Sequence, residues 1–242
     1  MIVSVIVDGM SDQDATIRAV SALSDDSRRR MFEFCRRAGR PISRDEAAAE
    51  VGISRKLAAF HLEKLVEAGL LRAHFEHAGR LRKVGRTPKL YEPAGTDVRV
   101  SIPPRQPDLL AEILLDGVLS HDRAGDDGGP LDSALRAASR KGEAVGEEER
   151  VRSRPGRLSA ERALTLSEAT LARAGFEPVR PEPGCVRLQS CPFHPLAQAQ
   201  PDAVCGINHA FVTGLLAGLR ATTVHAVLDP DGWECCVAIT AD

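Results

Sequence analysis

Aromatic side chains are scarce in this chain of 242 residues. Phe, Trp and Tyr make up 4% of it, with one Trp and one Tyr. Proteins that bind single-stranded nucleic acid stack bases on exposed rings, so this composition argues against such a platform. The hydrophobic content of 43% and the charged content of 27% are ordinary for a soluble globular protein. The length allows one large domain or two modest ones.

The sequence also lacks a stretch that predicts a membrane span or a secretory signal. The opening MIVSVIVDGM is apolar, but it contains Asp8, has no basic flank and is too short to cross a bilayer. It is typical of a short strand or tail, or of a segment ahead of a start at Met10. We therefore expect a cytoplasmic protein with no membrane partner, in which thiols stay reduced.

Catalytic signatures are lacking as well. The chain has no Gly-rich phosphate-binding loop, and its Ser, His and Asp residues show no spacing that assigns them catalytic roles. We therefore expect a protein that is not an enzyme. An enzyme or small-molecule-binding domain in the C-terminal part is the least favoured alternative.

Positive charge, by contrast, is present and concentrated. Residues 51–92 carry nine Lys and Arg against four Asp and Glu, whereas residues 93–150 carry seven against twelve. A local excess of cations indicates a nucleic-acid partner, and the acidic middle segment is expected to face away from it.

The cationic segment belongs to a series of three predicted helices. The first begins at the N-cap Ser24, carries Cys35 on its apolar stripe and ends at Gly39. The second opens at Ser43 with a capping box. The third follows a Gly-containing turn, with its apolar residues on one face. This arrangement predicts a helix-turn-helix, in which the third helix enters the major groove of DNA.

A strand–turn–strand pattern follows, over residues 68–94, and its turn is cationic. Such a hairpin beside a recognition helix is a wing, suited to phosphates or the minor groove. We predict that double-stranded DNA is contacted by side chains of the third helix and the wing, namely Ser54, Arg55, Lys56, Ala59, Lys64, Arg80, Arg82, Lys83, Arg86 and Lys89. His61, in the third helix, is expected to pack and hydrogen-bond instead.

The middle segment predicts a dimer contact. Apolar residues recur there at helical spacing, at Leu109, Leu110, Ile113, Leu114 and Val118. A homodimer formed through this helix would present two recognition helices to a pseudo-palindromic operator. The alternative is that the helix packs on its own chain.

The C-terminal part alternates helices with short strands joined by turn residues, which predicts a small antiparallel α+β domain. The whole chain is thus expected to be α+β. It divides into a winged helix-turn-helix DNA-binding domain over 1–97, dimerisation helices and a linker over 98–155, and a Cys-rich sensor domain over 156–242.

Five of the six cysteines lie between Cys185 and Cys236. Cys191 falls at a strand end, Cys205 in the first turn of a helix, and Cys235 in the last strand. Adjacent strand residues point to opposite faces, so we expect only one of Cys235 and Cys236 to reach a common site. The spacing leaves open an iron–sulfur cluster, zinc, a thiol redox switch or plain packing.

Four stretches resemble known regulator families. GISRKLAAFHLEKLVEAGLL and GRTPKLYEPA resemble winged-helix repressors of the ArsR and DeoR type, although this chain has GRTP where they have GRP. SCPFHPLAQAQPDAVCGINHAFVTGLL and GWECCVAI resemble the sensing domain of SufR-type regulators, which repress operons for iron–sulfur cluster assembly. The resemblance implies redox sensing by a [4Fe–4S] cluster on a dimeric repressor, controlling cluster-assembly or oxidative-stress genes.

Carried over by position, the resemblance implies that Cys191, Cys205 and Cys235 are the cluster ligands, with Cys236 as a rival to Cys235. A fourth ligand is then needed, and His194, His209, Cys185 and a non-protein ligand are the candidates in that order. A zinc-binding or thiol-redox regulator on the same scaffold is the alternative.

Overall fold

A computed structural model describes residues 9–75, 88–124, 128–229 and 235–242 of the chain. It divides into two compact units, one over Met10–Val100 and the other containing Ser101–Asp242. Each unit has a hydrophobic core of its own. The first boundary of the sequence-based division, at residues 97 and 98, falls close to this division.

The N-terminal unit is built from helices around a small antiparallel sheet of strand order β1-β3-β2. Its elements are α1 (Gly9–Ala22), α2 (Asp26–Ala38), β1 (Ile42–Ser43), α3 (Arg44–Val51), α4 (Arg55–Glu67), β2 (Leu71–Phe75) and β3 (Lys89–Pro93). The predicted three-helix order and the two wing strands are present, and α1 precedes them as a helix that the sequence patterns did not predict.

Local side-chain chemistry explains where these helices begin. α2 is capped by Asp25, whose carboxylate accepts the Arg28 amide at 2.9 Å, one residue after the predicted cap. α3 has the predicted capping box, since the Ser43 hydroxyl and the Glu46 carboxylate each accept the other residue's backbone amide. Cys35 is fully buried in the core, as predicted, and burial raises its pKa to about 12.

The C-terminal unit combines an antiparallel sheet of order β4-β5-β7-β6 with packed helices. Its elements are α5 (Pro107–Ala124), α6 (Pro130–Ser153), α7 (Ala160–Arg173), β4 (Pro178–Glu182), β5 (Cys185–Leu188), α8 (Leu196–Ala199), α9 (Pro201–Leu219), β6 (Val224–Leu228) and β7 (Val237–Ala241). The predicted antiparallel α+β arrangement is therefore present in this part of the chain.

The middle segment differs from expectation in its packing. Leu110 and Ile113 of α5 are buried in one core with residues of α7, α9 and the sheet, so 98–155 and 156–242 do not form separate compact units. Of the predicted dimer stripe, Leu114 and Val118 remain exposed, together with Leu115 and Leu119. The outward face of α5 is thus apolar.

α6 is longer than the sequence patterns predicted. The charged stretch GEEERVRSRPGR (146–157) is typical of a connection, but the helix continues through it to Ser153 because Glu and Arg are good helix formers. Its Gly142 and Gly146 are tolerated within the helix because they lie directly against the backbone of α9. A Cβ at Gly142 would come within 1.9 Å of the Phe211 carbonyl oxygen.

Candidate functional site

The outward face of α4 carries most of the DNA contacts predicted within the described residues. Ser54 caps the helix, its hydroxyl accepting the Leu57 amide at 3.3 Å. Arg55, Lys56 and Lys64 are exposed, and Ala59 is half-buried. Because the core-facing side holds the buried Ala58, His61, Leu62 and Leu65, the helix presents its cations away from the core.

Most of these cations already have acidic neighbours. Arg55 Nε lies 3.1 Å from Asp45 Oδ1, and Lys64 Nζ lies 2.6 Å from Glu67 Oε2. Lys56 has no ion pair with any described residue. Exposed ion pairs contribute little to stability, so phosphates can compete for Arg55 and Lys64 at small cost.

The predicted wing lies partly outside the described residues. Arg80, Arg82, Lys83 and Arg86 belong to that part, so the structure says nothing of them. Lys89 lies on β3, where its ammonium donates to Glu63 Oε1 at 2.6 Å, and the Tyr91 hydroxyl donates to the same oxygen. This network joins the wing strand to α4.

His61 packs in the unit, as predicted, but its Nδ1 is buried without a hydrogen-bond partner. It is 7% exposed, and its ring contacts that of Phe60 with centroids 5.5 Å apart. Its Nδ1 lies 4.0 Å from Asp25 Oδ1, which is too long for a hydrogen bond. The side chain therefore faces the start of α2 within the unit.

A second candidate site lies in the C-terminal unit, where four thiols form a continuous chain. Cys235 interacts electrostatically with both Cys191 and Cys236, and Cys236 interacts in the same way with Cys205. Cys191 follows β5, Cys205 is in α9, and Cys235 and Cys236 immediately precede β7. The fold thus brings together cysteines from three separate parts of the sequence, all as free thiols.

The pKa is lowered for two of these thiols, Cys191 and Cys236, and raised for the other two, Cys205 and Cys235. The neighbouring Cys235 thiol lowers the pKa of Cys191 to about 7 and that of Cys236 to about 6, because its single S–H can stabilise either thiolate. The pKa of Cys235 is raised for the same reason. Burial, followed by hydrogen bonding to Cys236, raises the pKa of Cys205 to about 12.

Two expectations about these cysteines were wrong. Cys235 and Cys236 precede the strand instead of lying within it, so both face the other thiols and the opposite-face argument does not apply. Cys205 is the fifth residue of α9, beyond its first turn, and is half-buried. Burial raises its pKa, whereas a thiol at a helix N-terminus would have its pKa lowered.

The other candidate ligands, His209, His194 and Cys185, lie outside the chain of four thiols. His209 lies near Cys236, and its Nε2 is 3.1 Å from the Ala226 carbonyl oxygen. The backbone amide of His194 donates to the Cys191 carbonyl at 3.2 Å, whereas Cys185 is buried beside Arg187. Of these three, His209 is the one that interacts with the thiol chain.

Sequence reasoning missed Asn208, one helical position before His209. It is 2% exposed, and its Nδ2 donates to Cys235 Sγ at 3.4 Å, while its Oδ1 is buried without a hydrogen-bond partner. A polar residue inside the otherwise apolar α9, two residues after a glycine and next to His209, was the available signal. The amide supports the sulfur at the centre of the thiol chain.

The donor chemistry of the four thiols fits an iron–sulfur cluster, because thiolates from several elements and an amide hydrogen bond to sulfur are what such clusters use. Within the ranges that the structure describes, however, no three His, Cys, Asp or Glu side chains are grouped so as to hold a metal ion. The thiol chain is therefore not a preformed site for a single ion.

Comparison with known proteins identifies the N-terminal unit. A family model described as a helix-turn-helix domain matches residues 23–74, which span α2 to β2. No curated protein matches the chain. The match confirms the predicted N-terminal helix-turn-helix and supports a winged-helix regulator. The protein is therefore a DNA-binding transcriptional regulator. The match favours a regulatory role over an enzymatic one.

A helix-turn-helix domain also implies a soluble protein of the compartment that holds DNA, in keeping with the expected cytoplasmic location. In the described part of the chain, α9 is the one helix long and apolar enough to span a membrane by length and composition. Its most apolar window is 56% buried, as in the core helix of a soluble protein.

Proposed function

We propose that this protein is a homodimeric transcriptional repressor whose DNA binding responds to a [4Fe–4S] cluster held by its C-terminal cysteines. The observation that carries the proposal is the thiol chain of Cys191, Cys235, Cys236 and Cys205, on the same polypeptide as a helix-turn-helix domain. A DNA-reading module joined to a cluster of reactive thiols is the composition of a sensor.

Cys191, Cys205 and Cys235 would hold the cluster, and Cys236 supplies the fourth thiolate that the sequence left undecided. Cys236 is the strongest candidate for that position because it interacts with both Cys235 and Cys205. His209 is placed second, since its ring already contacts a backbone carbonyl. When bound, a cluster supplies an oxidant-sensitive redox centre whose potential depends on hydrogen bonds to its sulfurs. Asn208 provides one such hydrogen bond.

The residues around Cys191 also connect this site to α5. Arg105 Nη1 donates to the Cys191 carbonyl at 2.6 Å, and the Gln106 amide donates to the Pro192 carbonyl at 2.7 Å. Both donors lie immediately before α5, whose outward apolar face is the proposed dimer contact. A change in the Cys191 loop would therefore reach the helix that carries the proposed dimer contact.

A thiol-redox regulator is the second candidate, because successive thiols along the chain interact in pairs and Cys236 has a lowered pKa. Zinc is less favoured, since structural zinc sites more often use closely spaced Cys pairs such as CxxC, and the one close pair here is the adjacent Cys235-Cys236.

Anaerobic purification followed by iron, sulfide and zinc assays and a visible spectrum tests the proposal. We expect iron and sulfide in equal amounts with a broad visible absorption, and loss of both from Cys191→Ser, Cys205→Ser and Cys235→Ser. Cys236→Ser should yield a less stable chromophore, whereas the buried Cys185→Ala should retain it. Zinc without sulfide, or thiols without any metal, would favour the alternatives.

DNA binding by α4 is tested by replacing Arg55 and Lys56 with alanine. Loss of two phosphate contacts should weaken operator binding and reduce the slope of log K against log salt by about 1–2. The charge-matched control is Arg157→Ala with Arg162→Ala, two exposed arginines of the other unit, which should leave the slope unchanged. If the two double variants have the same slope of log K against log salt, α4 does not contact DNA.

A further inference from the structure

Two apolar side chains lie on the outward face of α4 among the cations. Leu57 is 43% exposed and Phe60 is 53% exposed. Both share the face of Lys56 and Lys64, because residues three, four and seven or eight positions apart align along a helix. The prediction from sequence named the charged and small residues of this face and overlooked these two.

Neighbouring groups hold the Phe60 ring in its outward position. The His61 ring meets it edge-on, and Lys64 Nζ lies 5.9 Å from its centroid. His61 is itself buried, so the aromatic contact anchors Phe60 to the unit's core. The lysine contributes a cation–π contact that orients the ring without covering it.

Scattered exposed apolar residues are normal on protein surfaces and need no function. Here, however, Leu57 and Phe60 are one helical turn apart, at the centre of the helix that a helix-turn-helix domain inserts into the major groove. The flanking Arg55, Lys56 and Lys64 complement phosphate charge, which favours DNA over an apolar protein surface as the occupant.

We propose that Phe60, together with Leu57, recognises thymine methyl groups in the major groove, so that A·T pairs in each operator half-site are specified by apolar contact. The thymine C5-methyl is the one apolar group that the base edges present in this groove. Lys56 and Lys64 position the helix through phosphates, whereas the two apolar residues select sequence. This inference rests on the proposed insertion of α4 into the major groove.

The test begins with selection of an operator from a random duplex library by the full-length protein. Each thymine of that operator is then replaced by uracil, which removes only the methyl group. The wild-type protein should lose about fourfold in affinity at one or two thymines per half-site, as expected for one buried methyl group. Phe60→Ala should bind the thymine operator more weakly and lose this dependence on the methyl group. Ile17→Ala, a similarly exposed apolar residue on α1, should keep it.

The outcomes distinguish DNA binding by this domain from recognition of thymine methyl groups by Phe60 and Leu57. Failure of the wild-type protein to select or bind any duplex would overturn DNA binding by this domain. Selective binding that is unaffected by uracil at every position would overturn methyl recognition alone. Retention of methyl dependence by both Phe60→Ala and Leu57→Ala would assign the contact to other residues. Circular dichroism should show unchanged folding, since both side chains are exposed.

Discussion

At the residue scale, the capping box at Ser43 and Glu46 contributes to the lowered pKa of the Glu46 carboxyl. Its carboxylate accepts from Arg40 Nη2 at 2.6 Å and from the Ser43 amide at 2.8 Å. The hydrogen bond from Arg40, followed by that from Ser43, lowers the pKa of Glu46 from 4.5 to about 2. Because its folded pKa is depressed, Glu46 stabilises the fold above pH 4.5, and this contribution is lost as the pH falls toward 2.

We therefore predict that Glu46→Ala lowers the stability of the N-terminal unit at pH 7 by about 0.5–1 kcal/mol, since the carboxylate is partly solvent-screened. The difference from wild type should shrink progressively between pH 4.5 and about 2. Hydrogen exchange of α3 amides in the full chain measures it. The exposed Glu50→Ala, on the same helix, is the control and should change exchange little. A difference independent of pH would contradict the assigned role.

At the element scale, the contact between α6 and α9 is made by backbone rather than by large side chains. Gly142 and Gly146 of α6 alternate with Gly214 and Gly218 of α9, and a Cβ at any of them would meet a backbone atom at 1.9–2.3 Å. Glycine allows the helices to approach closely enough for Cα–H···O contacts. Since α9 carries Cys205 and Asn208, this packing also fixes one side of the thiol chain.

Gly214→Ala should accordingly be severely destabilising, because its Cβ would lie 2.0 Å from the Ser139 carbonyl oxygen and the backbone must move. We expect a loss of at least about 2–3 kcal/mol and a fall of several degrees in the melting temperature. Gly206→Ala is the matched control on the same helix, since its nearest neighbour is the Leu135 side chain at 3.4 Å. Similar melting temperatures for the two variants would show that the helices are not in backbone contact.

At the scale of the whole molecule, the outward face of α5 is the feature that requires a partner under the proposed function. Leu114, Leu115, Val118 and Leu119 are between 42% and 59% exposed along one helix, whereas Leu110 and Ile113 are buried against the chain's own core. A contiguous apolar face of this kind on a DNA-binding regulator fits a two-fold contact with a second copy.

Leu115→Asp combined with Val118→Asp should convert a dimer into a folded monomer, since burial of two carboxylates at an apolar contact is unfavourable. Sedimentation velocity over a range of concentrations measures this change. Val151→Asp, at a 74% exposed position on α6, is the control and should remain dimeric. A wild-type protein that sediments as a monomer, or a double variant that stays dimeric, would contradict the assignment of this face.

Much of the N-terminal unit could be predicted from the sequence, because its signals are local. The capping box at Ser43 and Glu46, the turn at Gly52 and the cap at Ser54 each act within a few residues, and their spacing alone predicts the helix-turn-helix. The family match over residues 23–74 confirms that part. The cap of α2 is Asp25 rather than the predicted Ser24, because such signals place a helix end only to within one or two residues. α1 was not predicted from these signals.

The thiol site depended on contacts that the sequence does not encode locally. The number and distribution of cysteines indicated a site, but their convergence depends on the strand register, on the entry into β7 and on the placement of α9 against α6. Only the tertiary structure brought Cys235 to Cys191 and Cys236 to Cys205, and both can reach because the pair precedes the strand, where side chains need not alternate. The sequence determined which chemistry the chain carries, and long-range packing decided which thiols meet.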